Sequence, residues 1–221
     1  MFQVKICGVT NVEDTLMAVE AGADAIGLNF YPPSPRYLVP EQAARIAQSV
    51  RSRALRVGVL LSPTEEEALE LASRVGLDAV QLHGDEPAEF AARLSLSLPV
   101  FKAFRIGPAG LAPVFDYLRQ FREAGGVLRA VLFDAHQPGQ PGGTGKTADW
   151  DVILGYPSED WHPPFVLAGG LTPDNVAAAI LRVRPSAVDT ASGVEDSPGR
   201  KSALLVARFV HEARAALTAT H

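Results

Sequence analysis

Leu55-Arg56-Val57-Gly58-Val59-Leu60-Leu61-Ser62-Pro63 is the stretch on which the fold turns. Its first seven residues make a nearly continuous apolar run of strand length, the pattern of a strand covered on both faces. Ser62-Pro63 then reads as an N-cap followed by a helix-opening proline, which predicts a helix over 64–74. The same strand-then-helix unit recurs in both directions. Upstream, strands over 4–6 and 24–30 lead into helices over 13–21 and 40–50. Downstream, strands over 78–82, 99–103, 128–133, 165–168 and 187–189 each precede a helical stretch. Those stretches begin near Pro87, Gly110, Asp149, Thr172-Pro173 and Lys201. Eight such units predict parallel strands joined by crossovers, an α/β fold closed as a single (β/α)8 TIM barrel over residues 1–221. The short fourth and eighth strands keep an open doubly wound sheet as the alternative.

Bulk properties narrow the range of functions. With 20 basic and 25 acidic residues the formal net charge is -5, so no overall basic field draws nucleic acid. An anionic ligand must be held by local groups instead. No apolar run approaches the roughly 18 residues that cross a bilayer, and no signal-peptide pattern opens the chain. One cysteine excludes an intramolecular disulfide and fits a reducing compartment. The expectation is a cytoplasmic monomer or homodimer without nucleic-acid or membrane partners.

In a parallel barrel, catalytic groups gather at the C-terminal ends of the strands, and three features of this chain fall there. Cys7 ends the first apolar run and is followed by Gly8. Asp134 closes Ala130-Val131-Leu132-Phe133. Two small-residue turns, Ala168-Gly169-Gly170-Leu171-Thr172 and Ala191-Ser192-Gly193-Val194, follow the last two strands and can cradle a phosphate with backbone N–H groups. Each feature has a plainer alternative: a small buried hydrophobe for Cys7, a helix cap or loop carboxylate for Asp134, ordinary turn chemistry for the glycines. His83 either faces the barrel mouth or is structural. Arg36, on the stiff Tyr31-Pro32-Pro33-Ser34-Pro35 loop, either clamps a carboxylate or lies solvated at the surface. The five histidines lack metal-ligand spacing, so no metal is expected. The loop Gly139-Gln140-Pro141-Gly142-Gly143-Thr144-Gly145-Lys146-Thr147 fails as a nucleotide P-loop because Gln140 stands where its first glycine belongs. It reads as a mobile cover over the site.

Taken together, Lys5-Ile6-Cys7-Gly8-Val9-Thr10, Phe30-Tyr31-Pro32-Pro33-Ser34-Pro35-Arg36-Tyr37, Gln81-Leu82-His83-Gly84-Asp85-Glu86, Gly142-Gly143-Thr144-Gly145-Lys146-Thr147 with Asp149-Trp150, Leu167-Ala168-Gly169-Gly170-Leu171 and Ala191-Ser192-Gly193-Val194-Glu195 resemble the phosphoribosylanthranilate isomerase family. That resemblance implies a TIM barrel catalysing a cofactor-free Amadori rearrangement in tryptophan biosynthesis. The substrate would be N-(5-phosphoribosyl)anthranilate, a phosphorylated small molecule, and the product the corresponding 1-deoxyribulose 5-phosphate. By the family's pattern Cys7 is the general base and Asp134 the general acid. Arg36 binds the anthranilate carboxylate, with His83, Gly143 and Asp189 as further substrate contacts. Gly169, Gly170, Ser192 and Gly193 hold the phosphate. Lys5, two residues before Cys7 and on the same strand face, is expected to lower the thiol's pKa. Two other classes remain open: a Schiff-base lyase using Lys5 or Lys102, and a non-catalytic phosphate-ligand binding protein.

Overall fold

Eight strands follow one another in the chain and pair, all parallel, in the order in which they occur: β1 (Val4–Cys7), β2 (Ala25–Asn29), β3 (Leu55–Leu60), β4 (Ala79–Leu82), β5 (Val100–Arg105), β6 (Leu128–Asp134), β7 (Phe165–Ala168) and β8 (Ala187–Thr190). In this computed structural model, which describes residues 1–107, 109–134, 150–157 and 159–220, β8 pairs back onto β1 with Lys5 opposite Asp189. The sheet is therefore a closed barrel, and the open-sheet alternative falls. Helices α1 (Val12–Glu20), α2 (Pro40–Val50), α3 (Glu65–Val75), α4 (Ala88–Ser95), α5 (Ala112–Glu123), α6 (Val176–Val183) and α7 (Ala203–Thr220) form the outer layer. Among the described residues no helix is long and apolar enough to cross a membrane.

Strand pleating sorts the side chains into two cores, because successive residues point to opposite faces. Phe101, Ala103, Ala130 and Leu132 fill the barrel interior, whereas Val100, Val131 and Phe133 pack outward under the helices. Phe2 closes the N-terminal end of the barrel, its ring 5.4 Å from that of Phe101. The same alternation turns Lys5, Gln81 and Asp189 inward at mid-barrel, where all three are buried. One inward step further along their strands stand Cys7 and His83, with Arg105 and Asp134 at the same mouth.

Three local expectations are corrected. The cap of α3 is Thr64, not Ser62: Thr64 and Glu67 form a reciprocal capping box. Ser62 stands in the turn before the helix instead, with a left-handed φ of +49° unlike the extended backbone of a cap, and its N–H is accepted by Glu86 Oε1 at 2.8 Å. Second, Thr172-Pro173 opens only a turn, and the regular helix begins after Asn175, whose Oδ1 accepts the Thr172 N–H at 2.8 Å. Third, in place of a full helix between β6 and β7 the described residues hold one 3-10 turn, Trp150–Ile153. The expected helix start at Asp149 and the glycine-rich cover lie outside the described residues. Beyond β8 a small antiparallel hairpin, β9 (Glu195–Ser197) and β10 (Arg200–Lys201), is fastened to α1 by the Lys201 N–H donating to Asp14 Oδ2 at 2.8 Å.

Candidate active site

The C-terminal mouth encloses a cavity of about 470 Å³ that brings Cys7, Arg36, His83, Asp134 and Asp189 together with both glycine turns. Nine of the ten residues expected at the site border it: these five, and Gly169, Gly170, Ser192 and Gly193. The tenth, Gly143, lies outside the described residues. A larger hollow of about 660 Å³ between α1 and α7 and another of about 640 Å³ at the opposite barrel end gather no comparable acid and base. At that end Asp78 carries a bidentate ion pair with Arg56, which reads as a staple between strands.

Cys7 is half-buried at the tip of β1. Gly8 follows with φ +69°, and a Cβ there would meet Arg36 Cδ at 2.3 Å, so only glycine lets the Arg36 stem cross the turn. Removal from water is the largest influence on the Cys7 thiol and pushes it above its ordinary pKa. Lys5 pulls the value down, as its position on the strand suggests, but does not prevail; Asp189 adds to the rise. The expected net lowering is thus reversed. Burial likewise works against the Lys5 charge, yet Asp189, 2.8 Å away, and Cys7 outweigh it and hold Lys5 above the usual lysine value.

Arg36 is held rather than solvated. Asn29 Nδ2 donates to Ser34 Oγ at 3.3 Å, and the Arg36 N–H donates to the same oxygen at 3.1 Å, so the proline-rich loop is tied to the tip of β2. Its guanidinium meets Glu195 side-on, Nε to Oε1 at 2.8 Å and Nη2 to Oε2 at 2.5 Å. Glu195 also accepts from the buried Lys201 at 2.8 Å. The Nη1 edge of Arg36 remains for a ligand carboxylate.

At the other turns, Thr190 Oγ1 donates to Leu171 O at 2.7 Å, and a Cβ on Gly193 would lie 1.8 Å from that same oxygen. Glycine at 193 therefore lets the turn after β8 press against the turn after β7, which makes one cradle of two loops. Asp189 Oδ2 is taken by Lys5, while its buried Oδ1 has no hydrogen-bond partner among the described residues. A buried acceptor so placed calls for a donor such as a ligand hydroxyl. His83 Nε2 stands 3.9 Å from Asp134 Oδ2, and its Nδ1 lies 3.0 Å from Gln81 Nε2. Desolvation lowers the His83 pKa, and Arg105 and Lys5 lower it further against the pull of Asp134.

Both candidate Schiff-base lysines are poorly placed. Lys102 points outward from β5 and donates to Gly84 O, Glu86 Oε2 and Ala103 O. Lys5 is fully buried behind Cys7, bonded to Gln81 and Asp189. Reading the sequence missed Gln81, Arg105 and Glu195. The period of two marks the first pair, since Gln81 precedes His83 by two and Arg105 follows the inward Ala103 by two. Nothing local marks Glu195, whose partners lie 159 residues upstream and six downstream. Among the described residues no group of three or more His, Cys, Asp or Glu is arranged to hold a metal.

A family model described as N-(5'phosphoribosyl)anthranilate (PRA) isomerase matches residues 4–212. The N-(5'-phosphoribosyl)anthranilate isomerase of Thermotoga petrophila is 45% identical over 216 residues, covering 97% of this chain and 99% of the relative. The crystal structure of phosphoribosyl anthranilate isomerase from Thermotoga maritima superposes with a TM-score of 0.84 at 42% identity, over 97% of this chain and all of the other. A further solved isomerase of this type, in complex with reduced 1-(o-carboxyphenylamino)-1-deoxyribulose 5-phosphate, superposes with a TM-score of 0.81 at 40% identity, with the same coverage.

Proposed function

This chain belongs to the N-(5'-phosphoribosyl)anthranilate isomerase family, and from that premise we propose that the mouth cavity carries out the family's Amadori rearrangement with Cys7 as base and Asp134 as acid. One observation carries the assignment: a sulfur from β1 and a carboxyl from β6 border the same cavity, between an arginine and a two-loop cradle.

The chemistry follows from those groups. Arg36 presents its Nη1 edge to the anthranilate carboxylate, while the turns at Gly169, Gly170, Ser192 and Gly193 receive the phosphate through backbone N–H groups. Held at both ends, the ribose lies across the cavity. Asp134 delivers a proton to the ring oxygen as the bond from that oxygen to C1′ breaks, leaving an iminium at C1′. Cys7, as thiolate, then removes the proton on C2′, and the electrons of that bond neutralise the iminium to give an enolamine. Its C2′ hydroxyl loses a proton as C1′ gains one, which yields the ketone with no net change in protons. Asp189 Oδ1 accepts a hydrogen bond from a sugar hydroxyl.

Turnover measured through the loss of phosphoribosylanthranilate fluorescence tests the assignment. Cys7→Ala and Asp134→Asn should each lower kcat by on the order of 10² to 10⁴ with modest change in KM. Arg36→Ala should mainly raise KM. Unchanged turnover in both Cys7→Ala and Asp134→Asn overturns the roles.

A further inference from the structure

Behind the two proposed catalytic groups runs a buried chain of polar side chains whose orientation has only one solution. Lys5 Nζ donates to Gln81 Oε1 at 3.0 Å as well as to Asp189. An ammonium can only donate, so the oxygen of the Gln81 amide must face Lys5 and the NH2 group must face away. That NH2 group lies 3.0 Å from His83 Nδ1. An amide nitrogen does not accept, so Nδ1 must carry the lone pair and the imidazole proton must sit on Nε2. His83 Nε2 is the atom that faces Asp134, 3.9 Å from Oδ2. Gln81 is 2% exposed, and turning its amide over would set NH2 against the ammonium and oxygen against a nitrogen lone pair. The amide is locked.

We infer that Gln81 is a positioning residue which, anchored by Lys5, fixes His83 as the neutral Nε2–H tautomer and aims a hydrogen-bond donor at Asp134. The donor gains strength as Asp134 gives up its proton and becomes a carboxylate, so the contact favours proton delivery over the resting state. A second proton on His83 would put Nδ1–H against the Gln81 NH2, which agrees with the depressed His83 pKa set first by burial. The charged groups around this imidazole are Asp134 on β6, Arg105 on β5, Lys5 on β1 and Asp189 on β8. The tautomer stands on hydrogen-bond geometry alone; its catalytic value rests on Asp134 being the acid.

Histidine-selective 15N labelling with long-range 1H–15N correlation at neutral pH reads the tautomer directly, and a His83→Gln sample identifies the His83 signals. Expected is an unprotonated Nδ1 and a protonated Nε2. A proton on Nδ1, or an even mixture of tautomers, overturns the inference. Gln81→Glu replaces the donating NH2 with an accepting oxygen, so Nδ1 should become protonated and the His83 titration midpoint should rise. Its kcat should fall on the order of tenfold, the worth of one lost hydrogen bond, with KM little changed. His83 signals that stay the same in folded Gln81→Glu also overturn it. If Asp134→Asn retains full turnover while the tautomer is as expected, the acid assignment fails and the positioning of His83 stands.

Discussion

Cys7 and Lys5, two residues apart on one strand face, pull the thiol in opposite directions, and burial decides the outcome. Because the protein has a single cysteine, its ionisation can be followed by alkylation without interference. The thiolate is the reacting form. A raised pKa therefore moves the midpoint of the iodoacetamide rate profile above the ordinary thiol value of 9.0. Lys5→Met, which deletes the ammonium that pulls the value down, should move the midpoint higher still. A wild-type midpoint below 9.0 would mean that Lys5 wins after all. Cys7 was legible as a candidate because it stands at a strand tip before glycine. The direction of its titration was not, since desolvation depends on what other strands bring against it.

The hairpin β9–β10 matters through Glu195, which neutralises the buried Lys201 and orients Arg36. Both Glu195 and Lys201 side chains are nearly inaccessible, so removing one partner strands the other's charge. Glu195→Ala should therefore destabilise the fold by about 3 to 5 kcal/mol in denaturant titration and also raise KM, because Arg36 loses its fixed plane. A variant of wild-type stability with unchanged KM would show that the pair is ornamental. Helix and strand interiors were readable from apolar period, α2 over Pro40–Val50 and β7 over Phe165–Ala168 to the residue. Helix starts were less so. Ser62 and Thr172 have the chemistry of caps, but Glu86 and Asn175 accept their own backbone N–H groups and hold them in the preceding turns, and each helix starts further toward the C-terminus.

At the scale of the whole barrel, closing β8 onto β1 buries titratable groups whose behaviour then enters folding stability. His83 has a folded pKa below its usual 6.5, so between the two values the unfolded chain binds a proton that the folded protein does not. The contribution is present above 6.5 and is lost as pH falls toward the folded value. Unfolding free energy should accordingly drop on acidification through this window, and His83→Gln should flatten that slope; an equal slope in both proteins counts against it. Eight apolar runs alternating with amphipathic stretches were sufficient for the sequence by itself to determine parallel strands joined by helical crossovers, because period and strand length are local properties; that the sheet closes, β8 onto β1, was decided by the tertiary structure. The same runs identified Cys7, Asp134 and the two glycine turns as residues at strand ends. Only the tertiary structure decided that Lys5, Gln81 and His83 form one locked chain, that Arg36 leans on Glu195, and that burial outweighs a neighbouring ammonium at Cys7. Each of those depends on the distance and solvent exposure of groups far apart in the chain, and these come into being only when the barrel closes.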